Sequence, residues 1–560
     1  MRASTDRSGG PSRVTSPDVS APARAPLTVA AVAAELGVET PVTGAHVLVS
    51  GLSLASARVR PGDVFAAVPG TARHGAAFAR AAVAGGAVAV LTDPAGASVA
   101  SAAGVPVLVV ADVRAVLGGL AARLAGDPAT ALTVLAVTGT SGKTTTAHLL
   151  EAGLRAAGRR PGLIGTTGSR VDGHPLASAL TTPEAPDLHR LLGAMVTAGA
   201  DSVAMEVSSH ALVLHRFGGL VADVALFTNL GHDHLDFHDG MEDYLAAKLR
   251  LFTSGLSRAA VVCVDDGPGG YGARVAAAAR AAGLPTTTVT GRPGLTGADW
   301  SVTRSAPDAA AGGGTRFTVV TPDGRELAGR LLLSGAFNVS NAVLALAALV
   351  TVGVGEAAAL AGIGALGGVP GRLERVTAAA SPGAPAPVGS TGRAVAFVDY
   401  AHKPEALEAV LTELRRLVAP GGRLGVVLGA GGDRDRGKRP VMGELAGRLA
   451  DLVVVTDDNP RGEDPADIRA AVLTGTRGTA ARVVELRDRR AAIAHAVAAL
   501  GAGDVLLVAG KGAETEQQVG GVTHPFDDRS VLADALAADI PATPGPAAPT
   551  PAAAGSGPRA

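Results

Sequence analysis

The run Thr138-Gly139-Thr140-Ser141-Gly142-Lys143-Thr144-Thr145-Thr146 follows apolar Val134-Leu135-Ala136-Val137 and precedes Ala147-His148-Leu149-Leu150. A strand that ends in a glycine turn and opens a helix presents backbone N–H groups and a positive helix end to phosphate oxygens. In that frame Lys143 meets the β- and γ-phosphates, and the Thr144 hydroxyl reaches Mg²⁺. The spacing Gly-x-x-Gly-Lys-Thr is shorter than the general phosphate-loop pattern. The strand before it and the helix after it still select nucleotide binding over a chance Gly/Thr-rich turn.

A second cluster, Met205-Glu206-Val207-Ser208-Ser209-His210, closes another apolar run. Ligands of open α/β sheets bind at loops following the strands, so Glu206 is a candidate metal ligand and Ser208 a candidate sugar or phosphate contact. The loop Thr228-Asn229-Leu230-Gly231-His232-Asp233-His234-Leu235-Asp236-Phe237-His238 is dense in His and Asp. A zinc site from His232, His234 and His238 is one reading. Beside a phosphate loop, one histidine supporting Mg²⁺ while others make hydrogen bonds is favoured.

Tyr244, Lys248, Leu251 and Phe252 fall at i, i+4, i+7 and i+8, which puts Lys248 on the apolar stripe of a helix. A buried ammonium is costly. Two answers stand on spacing alone: the side chain snorkels to solvent, or its amine reacts with CO₂ to a carbamate that serves as a carboxylate-like metal ligand. Four charged loops come later: Asp399-Tyr400-Ala401-His402-Lys403-Pro404, Gly431-Gly432-Asp433-Arg434-Asp435, Asp457-Asp458-Asn459-Pro460-Arg461 and Gly510-Lys511-Gly512-Ala513-Glu514. Opposed Arg and Asp/Glu groups on one sheet edge suit a zwitterion such as an amino acid, because Arg holds a carboxylate bidentately and a carboxylate accepts from ammonium.

The elements that must position these residues read as α/β, with parallel sheets and crossover helices. Residues 27–126 alternate Ala-rich helical runs with strands at Ala87–Leu91 and Val105–Val110. Strands near Val203–Val207, Val224–Thr228 and Val261–Val264 extend the sheet begun by the phosphate-loop strand, and residues 285–333 read as β-ribbon. A third unit has strands at Val395–Val398, Leu424–Leu428, Leu452–Val455 and Val505–Val508. The expected organisation is a tail at 1–26, domains at 27–126, 127–370 and 371–541, and a tail at 542–560, both tails disordered; residues 379–392 form a low-complexity loop.

Composition narrows the function classes. The 560 residues carry 49 Lys+Arg against 50 Asp+Glu, so the formal charge of -1 argues against a general binder of nucleic acid or acidic membrane. The lone Cys263 excludes an intramolecular disulfide and any multi-cysteine metal site, and its setting in Val261-Val262-Cys263-Val264 reads as a buried strand. The Ala342–Val369 stretch, whose only charge is Glu356, reads as a buried helix followed by a short one. No export signal is visible in residues 1–26, so a soluble cytoplasmic protein is expected.

In order over about residues 27–540, the chain resembles the Mur ligase family. The resemblance implies three domains: a small α/β UDP-binding domain, a central P-loop ATPase-like parallel-sheet domain and a C-terminal Rossmann-like domain. It implies ATP-dependent, ADP-forming ligation of 2,6-diaminopimelate to UDP-N-acetylmuramoyl-L-alanyl-D-glutamate through an acyl phosphate, in peptidoglycan synthesis. The alternative is the L-lysine-adding ligase. The implied ATP contacts are Gly139, Thr140, Ser141, Gly142, Lys143, Thr144 and Thr145, with Asn338 of Phe337-Asn338-Val339-Ser340-Asn341-Ala342, hinge Arg372 and ribose-contacting Asp399. Lys143, Glu206, His234 and Lys248 become the catalytic set, with Mg²⁺ held by Thr144, Glu206, His234 and Lys248 as N6-carboxylysine, a CO₂-derived carbamate.

Ser56, Thr181, Thr182, Ser208 and Arg216 match the family's UDP-sugar end, and Arg434, Asp458, Asn459, Pro460, Arg461, Gly510 and Glu514 its diaminopimelate end. Arg461 would take the carboxylate that lysine lacks. Departures from the family pattern are Ser141, Ala55 and Ala57 around Ser56, Leu214, and Ala513 beside Glu514. The implied partners are the two small-molecule substrates, with a monomeric chain, no nucleic acid and no stable membrane association.

Overall fold

Val134, Leu135, Ala136 and Val137 are all buried, so the strand they form, Thr133–Thr138, needs cover on both faces. Alternation supplies it. Leu135 and Val137 pack with Leu149, Leu150 and Val343, while Val134 and Ala136 pack with Leu188, Leu192 and Phe252. The first set comes from helices Lys143–Ala156 and Ala336–Thr351, the second from Ala185–Thr197 and Met241–Thr253.

The computed structural model describes residues 27–70, 73–178, 180–235, 237–267, 269–308, 314–378 and 394–538; the expected tails and the 379–392 insertion lie outside them. The chain divides into two compact units, Met1–Leu373 and Glu374–Ala560.

In the first unit, Thr133–Thr138 lies between Ser202–Glu206 and Val224–Phe227, parallel to both. Outward on one side follow Pro161–Gly165, Gly168–Val171 and His174–Leu176; on the other follow Ala260–Cys263, Thr286–Thr290, Trp300–Asp308, Gly314–Val320 and Glu326–Leu331, an eleven-stranded sheet in all. The chain leaves the central strand to one side and later returns past it to the other. The C-terminal ends of the three middle strands therefore meet at a topological switch point, the place where open α/β sheets bind ligands. A smaller parallel sheet, Gly51–Ser53, Asp63–Ala67, Ala89–Thr92 and Val107–Val109, holds the N-terminal part.

The reading of 285–333 as ribbon needs one correction. Thr286–Thr290 pairs parallel with both neighbours, and only Trp300–Asp308, Gly314–Val320 and Glu326–Leu331 form the antiparallel ribbon. A threonine-rich strand fits either pairing, so its composition carried no direction. The Ala342–Val369 stretch falls within helices Ala336–Thr351 and Glu356–Ala365, the turn between them and the loop after them. Among the described residues no helix is long and apolar enough to cross a membrane. Cys263 is buried at the end of its strand, and burial pushes its thiol up.

The second unit is one six-stranded sheet in the order Glu374–Val376, Val395–Asp399, Val505–Ala509, Leu424–Leu428, Leu452–Val455 and Arg482–Glu485; all but the first strand run parallel. A hairpin, Glu516–Val519 with Val522–Pro525, stands apart from that sheet. Both units are α/β, as the sequence pattern implies.

Candidate active site

The phosphate loop is shaped by two glycines. Gly139 has φ 142° and Gly142 φ 85°; a Cβ on the first would overlap the Thr228 hydroxyl, and one on the second would sit 2.5 Å from Asn341 Oδ1. The adjacent strand end holds the loop. Thr228 Oγ1 donates to the Ser141 carbonyl at 2.6 Å, and the Ser141 N–H donates to Asn229 Oδ1 at 3.0 Å. Lys143 Nζ donates to the carbonyls of Gly139 at 3.0 Å and Thr140 at 2.9 Å. Arg372 donates to Thr144 Oγ1 at 3.1 Å, so a guanidinium and an ammonium flank the helix start. Thr145, next along the helix, is buried. Asn338 stands one step away: its Oδ1 accepts from Asn341, which also accepts from Thr146.

Lys248 does not snorkel. It is 1 % exposed, its amine donates to the Gly139 carbonyl at 2.8 Å, and it lies 4.2 Å from the centre of the Tyr244 ring. Thr140 and Tyr244 hydroxyls meet at 3.2 Å, and burial pushes the Tyr244 phenol up. Helix Met241–Thr253 thus lays Lys248 and Tyr244 directly beneath the phosphate loop.

Glu206, at the end of its strand, is 1 % exposed. Thr166 donates its N–H to Oε1 at 2.7 Å and its hydroxyl to Oε2 at 3.2 Å. A buried carboxylate met by neutral donors keeps lone pairs for a cation and suits a hard divalent ion. The same turn reaches Thr181, whose hydroxyl lies 3.3 Å from that of Thr166. Thr182 Oγ1 donates to the Glu206 carbonyl and accepts the Ser208 N–H, and Ser208 caps the short helix Ser209–Val213.

Arg216 and Arg114 both bind Glu184, at 2.9 and 3.2 Å. Arg114 also donates to the Leu214 carbonyl. Ser56 sits on the short turn Ser56–Arg58, whose Arg58 pairs with Asp187.

The zinc alternative is not assembled. Among the described residues no three His, Cys, Asp or Glu side chains are grouped to hold a metal. His238 is taken by Asp243 and Ser209, at 2.9 and 3.0 Å. His234 Nε2 meets Asp233 at 2.9 Å, and its ring lies edge-on to His210 and to Tyr244. His234 has φ 51°, a conformation that costs about 1–3 kcal/mol for a non-glycine residue and points to a loop held for function.

In the second unit, Asn459 and Arg461 also have positive φ, 41° and 51°. Asn459 Oδ1 accepts from Lys511 Nζ at 3.1 Å and from the Gln518 N–H at 2.9 Å, while its Nδ2 donates to Glu514 Oε2 at 3.0 Å. Lys511 is fully buried and lies 3.7 Å from Asp458 and 3.6 Å from Glu514. Arg461 donates to the Gly432 carbonyl at 2.9 Å. A Cβ on Gly431 would meet the Arg461 guanidinium at 2.9 Å and Arg434 Cγ at 3.9 Å, so the two arginines flank one glycine. Burial raises the Glu514 carboxyl, and the Asp458 charge adds to that. Gly510, φ 122°, donates its N–H to the Asp399 carbonyl. The cluster brings together Asp458, Asn459, Pro460, Arg461, Arg434, Gly510 and Glu514.

Sequence reasoning left out Thr166, Tyr244 as a loop contact, Glu184, Arg114 and Lys511 as a buried keystone. Each acts on a partner far along the chain, and of these only Tyr244, on the apolar stripe, and Lys511, in the Gly510–Glu514 loop, stand inside motifs legible in the sequence.

The chain is similar to known proteins in sequence and in fold. Residues 48–124 match the Mur ligase family catalytic domain, 137–349 the Mur ligase middle domain and 386–512 the Mur ligase glutamate ligase domain. The chain is 47 % identical over 513 residues to a Streptomyces coelicolor protein named UDP-N-acetylmuramoyl-L-alanyl-D-glutamate–2,6-diaminopimelate ligase, covering 91 % of this chain and 96 % of that one. A Corynebacterium efficiens protein of the same name is 49 % identical over 492 residues, covering 86 % and 89 %. A solved structure titled as that ligase superposes with a TM-score of 0.63 at 32 % identity, covering 91 % of this chain and 99 % of that one.

Proposed function

Because the chain belongs to the Mur ligase family of ATP-dependent, ADP-forming ligases, we propose that it joins 2,6-diaminopimelate to UDP-N-acetylmuramoyl-L-alanyl-D-glutamate in peptidoglycan synthesis. The observation that carries the substrate choice is the Asp458–Arg461 loop, held in strained backbone by Lys511 and Glu514, in a chain 47–49 % identical to ligases named for diaminopimelate. The lysine-adding alternative is not favoured by these relatives.

The D-glutamate γ-carboxylate attacks the γ-phosphorus of ATP, the bond to ADP breaks, and an acyl phosphate forms. The diaminopimelate amine attacks the acyl carbon, loses a proton, and phosphate leaves with the C–O electrons. Lys143 turns from the Gly139 and Thr140 carbonyls to the transferring phosphoryl oxygens, and the loop N–H groups hold the β-phosphate. Mg²⁺, when bound, neutralises charge on the phosphates; Thr144, Glu206, His234 and Lys248 as its carbamate would hold it. Asn338, Arg372 and Asp399 complete the ATP contacts. Ser56, Thr181, Thr182, Ser208 and Arg216 take the UDP-sugar dipeptide. Arg434, Asp458, Gly510 and Glu514 receive the incoming amino acid, with Arg461 on its distal carboxylate.

The roles divide at about 126/127 and 370/371, and the chain acts as a cytoplasmic monomer. The test supplies UDP-muramoyl dipeptide and ATP with a panel of diamino acids, and measures ADP and tripeptide product. Diaminopimelate-dependent product is expected; strong preference for lysine would overturn the assignment of Arg461.

A further inference from the structure

Glu151, on the helix after the phosphate loop, is buried and binds two arginines. Its Oε1 accepts from Arg155 at 2.8 Å and Arg170 Nε at 3.1 Å, and its Oε2 accepts from Arg170 Nη2 at 2.5 Å. Arg170, so fixed, lies 3.1 Å from His148 Nδ1. A guanidinium can only donate, so Nδ1 is the acceptor and the ring proton sits on Nε2. That N–H donates to Thr167 Oγ1 at 3.0 Å. His148 is 2 % exposed, and burial together with Arg170 pushes it down to about 4, which keeps the ring neutral and this tautomer in place.

Thr167 belongs to the two-residue turn Thr166-Thr167 between strands Pro161–Gly165 and Gly168–Val171. The other turn residue, Thr166, carries both hydrogen bonds to the Glu206 carboxylate and the contact to Thr181. His148 follows Thr144 by four residues, so both lie on one face of the helix. The path His148, Thr167, Thr166, Glu206 joins the phosphate-loop helix to the end of the neighbouring strand: one hydrogen bond from the ring to Thr167, the peptide link to Thr166, and two hydrogen bonds from Thr166 to the carboxylate.

We propose that His148 is a positioning residue for the ligation: through the Thr166-Thr167 turn it sets the Glu206 carboxylate and the Thr181 hydroxyl relative to the phosphate loop. The proposal rests on the reading of Glu206 as a metal ligand. No catalytic contact is assigned to His148 itself.

The test compares full-length His148→Ala, His148→Gln, Thr167→Ala, the His148→Ala/Thr167→Ala double variant and Glu206→Ala. Readouts are Mn²⁺ binding to the ADP complex by paramagnetic resonance, ADP binding without metal, KM for the UDP-muramoyl dipeptide, and Tm. His148→Ala and Thr167→Ala are expected to weaken Mn²⁺ about tenfold, with no further loss in the double variant and with metal-free ADP affinity unchanged. His148→Gln, whose amide nitrogen can reach Thr167, should recover most of the loss. Unchanged Mn²⁺ affinity in folded Thr167→Ala, or additive losses, would overturn the relay even if His148→Ala failed to fold. Should Glu206→Ala leave Mn²⁺ affinity intact, the metal-ligand reading falls and the relay with it; a loss in Glu206→Ala alone removes only the relay.

Discussion

Lys248 shows what one residue can and cannot reveal. Its place on an apolar stripe was legible from spacing, because helical periodicity is local. Its burial was not, since that depends on the Gly139 carbonyl and the Tyr244 ring closing over it. If the amine works as a carbamate, Lys248→Ala should lower kcat by about 100-fold or more, and short carboxylic acids added to the assay should restore part of it. Enzyme kept in ¹³C-bicarbonate should give a carbamate carbon resonance absent from the variant; full turnover by the variant would end the idea. Glu514 poses an opposite problem, because its burial beside Asp458 raises its carboxyl above the ordinary value. A raised carboxyl is a stabilising group only below its unfolded value, and that contribution is lost as pH rises through the folded one. Once ionised, the group is therefore a burden that an incoming ammonium relieves. Glu514→Gln should raise Tm relative to the parent increasingly as pH rises, while increasing KM for diaminopimelate about 10- to 100-fold, within the range for hydrogen bonds to charged groups. A lower Tm, or an unchanged KM, would count against that role.

Among the elements, the strands that carry the site were the easiest to find. Val134–Val137, Val203–Val207 and Val224–Thr228 are apolar runs that end in polar residues, and the structure has strands Thr133–Thr138, Ser202–Glu206 and Val224–Phe227 there. The hairpin Pro161–Gly165 with Gly168–Val171 escaped notice, since Thr166-Thr167 is not a common turn pair and the strands are short. Yet this hairpin carries the donors to Glu206, 40 residues later in the chain. Gly139 is the element-scale point of failure: at φ 142° a side chain is strained, and its Cβ would displace Thr228, which holds Ser141. Gly139→Ala should abolish measurable ADP binding in calorimetry while the protein stays folded by circular dichroism. The helix beside it also sets a pH limit. His148, pushed down to about 4 from 6.5, must stay neutral in the fold, and a depressed histidine stabilises above its unfolded value and loses that contribution as pH falls through the folded one. The shift is worth about 3 kcal/mol. Urea unfolding should thus show a stability loss between pH 6.5 and 4 that is smaller in His148→Gln; identical pH profiles would refute the assignment.

For the whole molecule, the two units carry separable chemistry. The phosphate loop, Lys248, Glu206 and the Thr181–Arg216 group all lie in Met1–Leu373, whereas the Asp458–Arg461 loop, Lys511 and Glu514 lie in Glu374–Ala560. Near-neutral charge with 49 basic and 50 acidic residues suits this division: several of those charges face each other in small sites such as Arg216 with Glu184 and Lys511 with Asp458, so no surface of one sign is needed. The reaction order then makes a distinction between the units testable. Acyl phosphate formation uses ATP and the dipeptide carboxylate; the diamino acid is needed only for the second step. Arg461→Ala should therefore keep acyl phosphate formation, trapped by borohydride reduction to the alcohol, at rates within about threefold of the parent. Tripeptide synthesis at subsaturating diaminopimelate should fall about 10- to 100-fold, as expected for a lost charge-assisted contact. Lysine, which lacks the second carboxylate, should suffer far less from the same change, so the preference for diaminopimelate should narrow. Loss of the trapped alcohol in Arg461→Ala would show that the C-terminal loop acts before the amine arrives, and an unchanged preference would move the selecting group away from Arg461.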